Sequence, residues 1–279
     1  MPTIELPSSP HAPGIHPVTI HYREYGSGEP LLFLHSGWGY GVYPFERQIQ
    51  AFEREFRILI PDRSGYGHST HVTAEMPLDF HSRAAAETAA FLDKIGIHKA
   101  ILWGHSDGAV IAAMMGLDYP ERCRCLILEA AHFQKRKPGS RSFFERFAAH
   151  PEHLGEETCI LLAEDHGEEY WQSVIRRNCG VWIRMADSVS RQEADDVHEG
   201  RLGELAVPAL FLHGRLDPRT EPGEIERMRE ALPSSAMRYI ETGKHSPHSE
   251  EPAFEECSDA VREFLSARER SPRQLEAKN

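Results

Sequence analysis

The 279-residue chain has no apolar run approaching the ~18 residues of a membrane-spanning helix. Its first residues, MPTIELPSSPHAPG, lack the charged segment and apolar core of a secretory signal, so a cytoplasmic location is expected. No Lys/Arg block occurs; 31 basic residues face 43 acidic ones, for a net charge of -12. Nucleic acid and anionic membranes are therefore not expected partners. The acidic balance reads as a solvated surface, and at most suits cationic substrates such as amino-acid esters. Cysteine is sparse and odd in number: Cys123, Cys125, Cys159, Cys179 and Cys257 are scattered. That excludes a disulfide framework and points to free thiols in a reducing compartment. Cys123-Arg124-Cys125 has no second pair, which argues against zinc. No internal repeat is present.

What is there is ordinary globular material, 40% hydrophobic and 27% charged, enough for one sizeable α/β domain with an insert. Short continuous apolar runs read as strands covered on both faces: LLFL (31–34), RILI (57–60), AILW (100–103), CLIL (125–128) and ALFLH (209–213). TIEL and VTIHY alternate and suit an antiparallel start. Helical patterns lie between these runs. PFERQIQAFERE spaces Phe45, Ile49 and Phe52 on one face, and DFHSRAAAETAAFLDKI begins with Asp79 as its N-cap. EIERMREAL and FEECSDAVREFLSA repeat the pattern. The alternation predicts an α/β fold with a doubly wound, mostly parallel sheet. From 133 to 200 the helical stretches follow one another without a strand. A helical cap inserted after the sixth strand is expected there, between core segments 1–132 and 201–268, with a mobile tail at 269–279.

The sharpest signal is Gly104-His105-Ser106-Asp107-Gly108, between the strand AILW and the helical run AVIAAMMG. Gly-x-Ser-x-Gly at a strand-to-helix junction is a nucleophile elbow, its glycines allowing strand and helix to approach closely. The plainer alternative is a tight turn with Ser106 capping the helix. A nucleophile at this edge also gains the free amides of a helix N-terminus, and the Asp107 N–H is placed to donate to an oxyanion.

A serine hydroxyl needs a base, and the base an orienting acid, in the chain order Ser, Asp/Glu, His. Asp217, in GRLDPRT after ALFLH, fits the acid, although a turn residue before Pro218 would look the same. Glu129, directly after CLIL, is the alternative acid or else a buried structural carboxylate. GKHSPHSEEP offers His245 and His248; with 17 histidines in the chain, neither stands out by composition. A metal pair at these two is disfavoured, because no third ligand is evident and Pro247 interrupts a helical face. HSGWGYG supplies the second oxyanion donor, the N–H of Gly37 or of Trp38. Trp38, Tyr40, His105, Trp171 and Trp182 are candidate pocket residues, and Phe143 and Phe144 join the last two as cap aromatics.

Together these segments resemble the α/β-hydrolase fold superfamily. HSGWG is similar to its His-Gly-x-x-Gly loop, with Ser36 in place of the first glycine. DRSGYGHS (62–69) is similar to its Asp-x-x-Gly-x-Gly-x-Ser turn, and HGRLDP carries the usual acid. GKHSPHSEEP matches Gly-x-His followed by Glu250 and Pro252, which selects His245 over His248. The Ser-Asp-Gly elbow with YPERC is similar to small esterases and amino-acid-ester hydrolases. The resemblance implies a serine hydrolase acting on a small carboxylic ester, lactone or thioester through Ser106, His245 and Asp217, without metal or cofactor. Epoxide hydrolases and haloalkane dehalogenases, which use an aspartate nucleophile, are disfavoured by Ser106. Carbon–carbon hydrolases, lyases and haloperoxidases share the triad, and some members only bind ligands. A small-molecule substrate is the expected partner, with a homo-oligomer possible.

Overall fold

A computed structural model describes residues 1–189 and 195–276. Eight strands form one sheet: β1 (Thr3–Leu6), β2 (Val18–Gly26), β3 (Glu29–Leu34), β4 (Phe56–Pro61), β5 (Ala100–His105), β6 (Cys123–Glu129), β7 (Ala209–Gly214) and β8 (Ala236–Ile240). Their spatial order is β1-β2-β4-β3-β5-β6-β7-β8. β1 and β2 pair antiparallel, as the alternating N-terminal stretches predict; β4, β3, β5, β6, β7 and β8 are parallel.

Eight helices accompany the sheet: α1 (Glu46–Phe52), α2 (Phe80–Lys94), α3 (Asp107–Asp118), α4 (Arg141–Ala149), α5 (Glu156–His166), α6 (Trp171–Ser188), α7 (Glu224–Ala231) and α8 (Ala253–Glu276). The continuous apolar strands feed two cores, because successive side chains point to opposite faces. Leu32, Leu34, Leu102, Leu126 and Leu128 meet α2 and α3 through residues such as Ala85 and Ile111. Leu31, Phe33, Trp103, Ile127 and Leu210 meet Phe45, Ile49 and Phe52 of the α1 segment and Cys257 and Val261 of α8. Asp79 precedes α2, but its side chain makes no cap; it pairs with Arg83 one turn on, at 2.8 Å.

Between β6 and β7 the chain makes α4, α5 and α6. Their apolar faces form a third core, in which Phe144, Phe147, Val174, Ile175 and Trp182 pack with Tyr66, Phe80 and Val110 of the sheet-bearing part. Polar ties reinforce this seat. Asp165 of α5 accepts the Tyr40 and Gly41 amides at 3.0 and 2.9 Å. His166 accepts the Gly67 amide at Nδ1, so its Nε2–H donates to the Trp38 carbonyl at 2.9 Å. α8 continues through 269–276, part of the stretch expected as a tail; 277–279 lie outside the described residues.

Candidate active site

The elbow joins β5 to α3 with Ser106 at φ 57°, ψ -120°, a conformation that L residues avoid without compensation. Part of the compensation is Ser106 N–H, which donates to the Glu129 carbonyl at 2.9 Å. A Cβ on Gly104 would collide with the Gly108 carbonyl, and one on Gly108 with the Leu34 carbonyl. Both glycines are thus required by close backbone approach, as the motif implied.

Two loops at the same sheet edge bring the partners in. His245 follows β8, and its Nε2 lies 3.0 Å from Ser106 Oγ. Its Nδ1 lies 2.9 Å from Asp217 Oδ2, in the loop after β7. Nδ1–H donates to the carboxylate, which leaves Nε2 free to accept the serine proton. Burial alone would raise the Asp217 pKa, but the charge and hydrogen bond of His245 hold it well below the ordinary carboxylate range. Glu129 does not reach His245. It accepts the His248 N–H and ring Nδ1–H at 3.0 and 2.8 Å and the Trp103 indole at 2.8 Å.

The Ser36–Tyr40 loop faces the elbow. Trp38 N–H donates to Ser36 Oγ at 3.2 Å, so it is occupied; Ser36 Oγ in turn donates to the Gly39 carbonyl. Among the described residues the Gly37 and Asp107 amides have no acceptor, which leaves these two free to point at an anion. Gly37 also has no room for a side chain, because a Cβ there would strike Asp107 and Asn178. Arg63, from the Asp62–Ser69 turn, braces the loop from behind by donating to the His35 and Ser36 carbonyls at 2.6 and 2.8 Å. Asp62 anchors that turn by accepting from His21 and Arg23. Burial opposes its ionisation, yet these partners bring its pKa down to about 2.

The Asp107 carboxylate is buried and accepts from Asn178 at 2.7 Å, the Trp182 indole at 3.1 Å and His81 at 3.3 Å. Asn178 and Trp182 are one turn apart on α6, so the residue after Ser106 ties that helix down onto the elbow.

Ser106, Trp38, Phe143, Trp182, Arg219 and His245 line a cavity of ≈ 40 Å³. Three candidate pocket residues lie elsewhere. Tyr40 sits under Arg23, 4.1 Å from the ring centroid, and donates its hydroxyl to Glu46. His105 is fully buried, donates Nε2–H to the His245 carbonyl at 2.8 Å, and has its pKa lowered to about 3 by desolvation. Trp171 packs inside the third core. Four further residues, Tyr43, His132, Asn178 and Arg219, reach the cavity unannounced by any motif, and His132 and Arg219 bear most on its chemistry. His132, three residues past Glu129, brings Nε2 within 3.3 Å of Ser106 Oγ and stacks on His245 at 5.6 Å. Arg219, two residues past Asp217, holds its guanidinium 3.0 Å from the Phe143 centroid. Position just beyond a strand's carboxyl end is the signal both carry.

A family model described as "alpha/beta hydrolase fold" matches residues 29–177. The serine hydrolase BPHL of Mus musculus is 23% identical over 84% of this chain and 78% of its own length. The pimeloyl-[acyl-carrier protein] methyl ester esterase of Vibrio vulnificus strain YJ016 is 26% identical over 84% of this chain and 93% of its own. A solved thermophilic esterase from Thermogutta terrifontis superposes with TM-score 0.73 at 20% identity, covering 96% of this chain and 99% of that one.

Proposed function

The chain belongs to the alpha/beta hydrolase fold family and is an enzyme of that fold; from this premise we propose that it hydrolyses a small carboxylic ester through an acyl-enzyme on Ser106. The observation that carries the reading is the relay from Ser106 Oγ through His245 to Asp217, at 3.0 and 2.9 Å. Ser106 attacks the ester carbonyl while His245 Nε2 takes its proton. The bond to the alkoxy group then breaks, and His245 returns that proton to the leaving oxygen. Water, deprotonated by the same nitrogen, releases the acid and restores Ser106. Asp217 keeps His245 in the tautomer that accepts at Nε2 and offsets its positive charge. The Gly37 and Asp107 amides are the donors we assign to the tetrahedral oxyanion, one such donor being worth about 3 kcal/mol of barrier. The helices between β6 and β7, expected over 133–200, act as a cap that excludes water, with Phe143, Phe144 and Trp182 over the serine.

The test is hydrolysis of p-nitrophenyl esters from acetate to decanoate by the unmodified chain and by Ser106→Ala. Turnover is expected to fall by roughly 10⁴-fold or more in the variant, with the melting temperature retained. Equal turnover in the two proteins would remove Ser106 from the mechanism. Product analysis separates an ester hydrolase from a carbon–carbon hydrolase, which would use the same three residues.

A further inference from the structure

The backbone of Arg219 is pinned beside the triad acid. Its N–H donates to Asp217 Oδ1 at 2.8 Å, and its carbonyl accepts from Lys137 Nζ at 3.2 Å. Lys137 is itself buried and clamped by both oxygens of Glu224, at 2.6 and 2.7 Å. The Glu224 carboxylate also accepts the Phe133 and Gln134 amides, so the Arg219 loop is locked to the chain leaving β6. From this anchor the guanidinium lies over the Phe143 ring and lines the same cavity as Ser106 and His245.

Its charge has no carboxylate counter-ion among the described residues. Arg23, Arg141, Arg201 and Arg215 each pair with a carboxylate. Among the described residues no carboxylate pairs with the Arg219 guanidinium, and Asp217, the neighbouring acid, is engaged by His245 and the Arg219 amide. Burial lowers the Arg219 pKa from its ordinary value, as expected for a cation withdrawn from water with insufficient compensation. Such a cation gains most from an anion that arrives with the ligand, and a guanidinium fork matches a carboxylate in two parallel hydrogen bonds. Among the described residues it is the one Lys or Arg lining the cavity, so a single negative charge is matched. Trp38, Phe143 and Trp182 offer apolar walls for the hydrocarbon between that charge and the reacting carbonyl.

We propose that the enzyme's substrates are esters carrying a carboxylate a short distance from the scissile carbonyl, with Arg219 as the specificity-determining counter-ion. This rests on the Ser106 hydrolase reading, and its sign is opposite to the cationic substrate that net charge alone would suggest.

The experiment compares kcat/KM within two matched pairs, by proton release. Monomethyl glutarate against methyl pentanoate places the charge on the acyl side; acetoxyacetate against ethyl acetate places it on the alcohol side. The expected result is a preference for the charged member of one pair by roughly 10-fold or more. That ratio should fall roughly 10- to 100-fold in Arg219→Met, recover in part in Arg219→Lys, and shrink with added salt in the unmodified chain. A preference for the neutral ester in both pairs, or a ratio unchanged in Arg219→Met, overturns the proposal while leaving the hydrolase reading intact. If no ester is cleaved by a Ser106-dependent route, the hydrolase reading fails by itself. Calorimetric titration of glutarate into the unmodified chain then decides the anion site. Binding that Arg219→Met abolishes supports it, and absence of binding overturns it.

Discussion

Two carboxylate–histidine pairs stand side by side behind Ser106, and they differ in what lies beyond the histidine. In Asp217–His245 the histidine side chain is 14% exposed, and its far nitrogen meets Ser106 Oγ. In Glu129–His248 both side chains are wholly buried, and the far nitrogen lies 3.2 Å from the Tyr43 carbonyl. Both nitrogens of His248 face oxygens, Glu129 on one side and the Tyr43 carbonyl on the other. His245 instead faces a donor on one side, so its resting ring accepts there. The same residue types set one histidine against the Ser106 hydroxyl and bury the other away from it. The second pair stacks His248 on Phe45 at 4.2 Å and receives the Trp103 indole, which joins the sheet, the α1 segment and the last loop.

The largest expected effects fall on the front pair. His245→Gln should lower kcat by ~10⁴-fold or more, and Asp217→Asn by ~10³- to 10⁴-fold, with the fold retained by circular dichroism. Comparable losses from His248→Gln, in a protein that remains folded, would dissolve the distinction between the pairs.

The back pair should answer in stability. Glu129→Gln removes the buried carboxylate that holds both the His248 backbone N–H and its ring, and is expected to cost about 3–5 kcal/mol by urea titration, with turnover below the melting transition reduced far less than in Asp217→Asn. Burial disfavours the charged Glu129, but His248 outweighs it and brings the pKa down from 4.5 to about 2. The ionised carboxylate therefore stabilises the fold above about pH 4.5, and that contribution is lost as pH falls toward about 2. Glu129→Gln should flatten this acid limb, read as the change in urea midpoint between about pH 5 and about pH 3. Asp217, also held low by His245, adds to the same limb, but its removal takes turnover with it. A limb as steep in Glu129→Gln as in the unmodified chain would refute the pairing.

How much of this was legible in the sequence follows from what each residue's position depends on. The strands were readable because both faces of a parallel sheet are covered, so apolar runs are continuous. The elbow was readable because its glycines are imposed by backbone contact a few residues away. Ser106, Asp217 and His245 follow strand ends, where chain order dictates which loops meet. The pocket wall was not readable, since it depends on how α4 and α6 seat on the sheet. Trp171 and Trp182 are eleven residues apart and share a helix face, yet that spacing separates them by about 16 Å along the axis. Only Trp182 reaches the cavity; Trp171 stays in the core. Asp107 was legible as an amide donor but not as the tie between α3 and α6, because its partners come from a helix 71 and 75 residues away in sequence.

The smallest effect is expected at His132, which sharpens the comparison with a histidine that has the serine but not the acid. Its Nε2 is 3.3 Å from Ser106 Oγ, against 3.0 Å for His245, and the two rings lie nearly parallel at 19°. Among the described residues no carboxylate pairs with it, and burial together with the nearby charges of Lys137, His245, His81 and Arg219 pushes its pKa well below the usual value. A ring that resists protonation is poorly suited to hold the serine proton through the tetrahedral stage, so in the proposed mechanism the base remains His245 and His132 is a neighbour stacked on it. His132→Asn should therefore lower kcat by ~10-fold or less, on the order of 1 kcal/mol, and leave the acid limb of the rate profile unmoved. A loss as large as that of His245→Gln would make a carboxylate partner unnecessary for the base and would leave access to the serine as the sole difference between the two pairs.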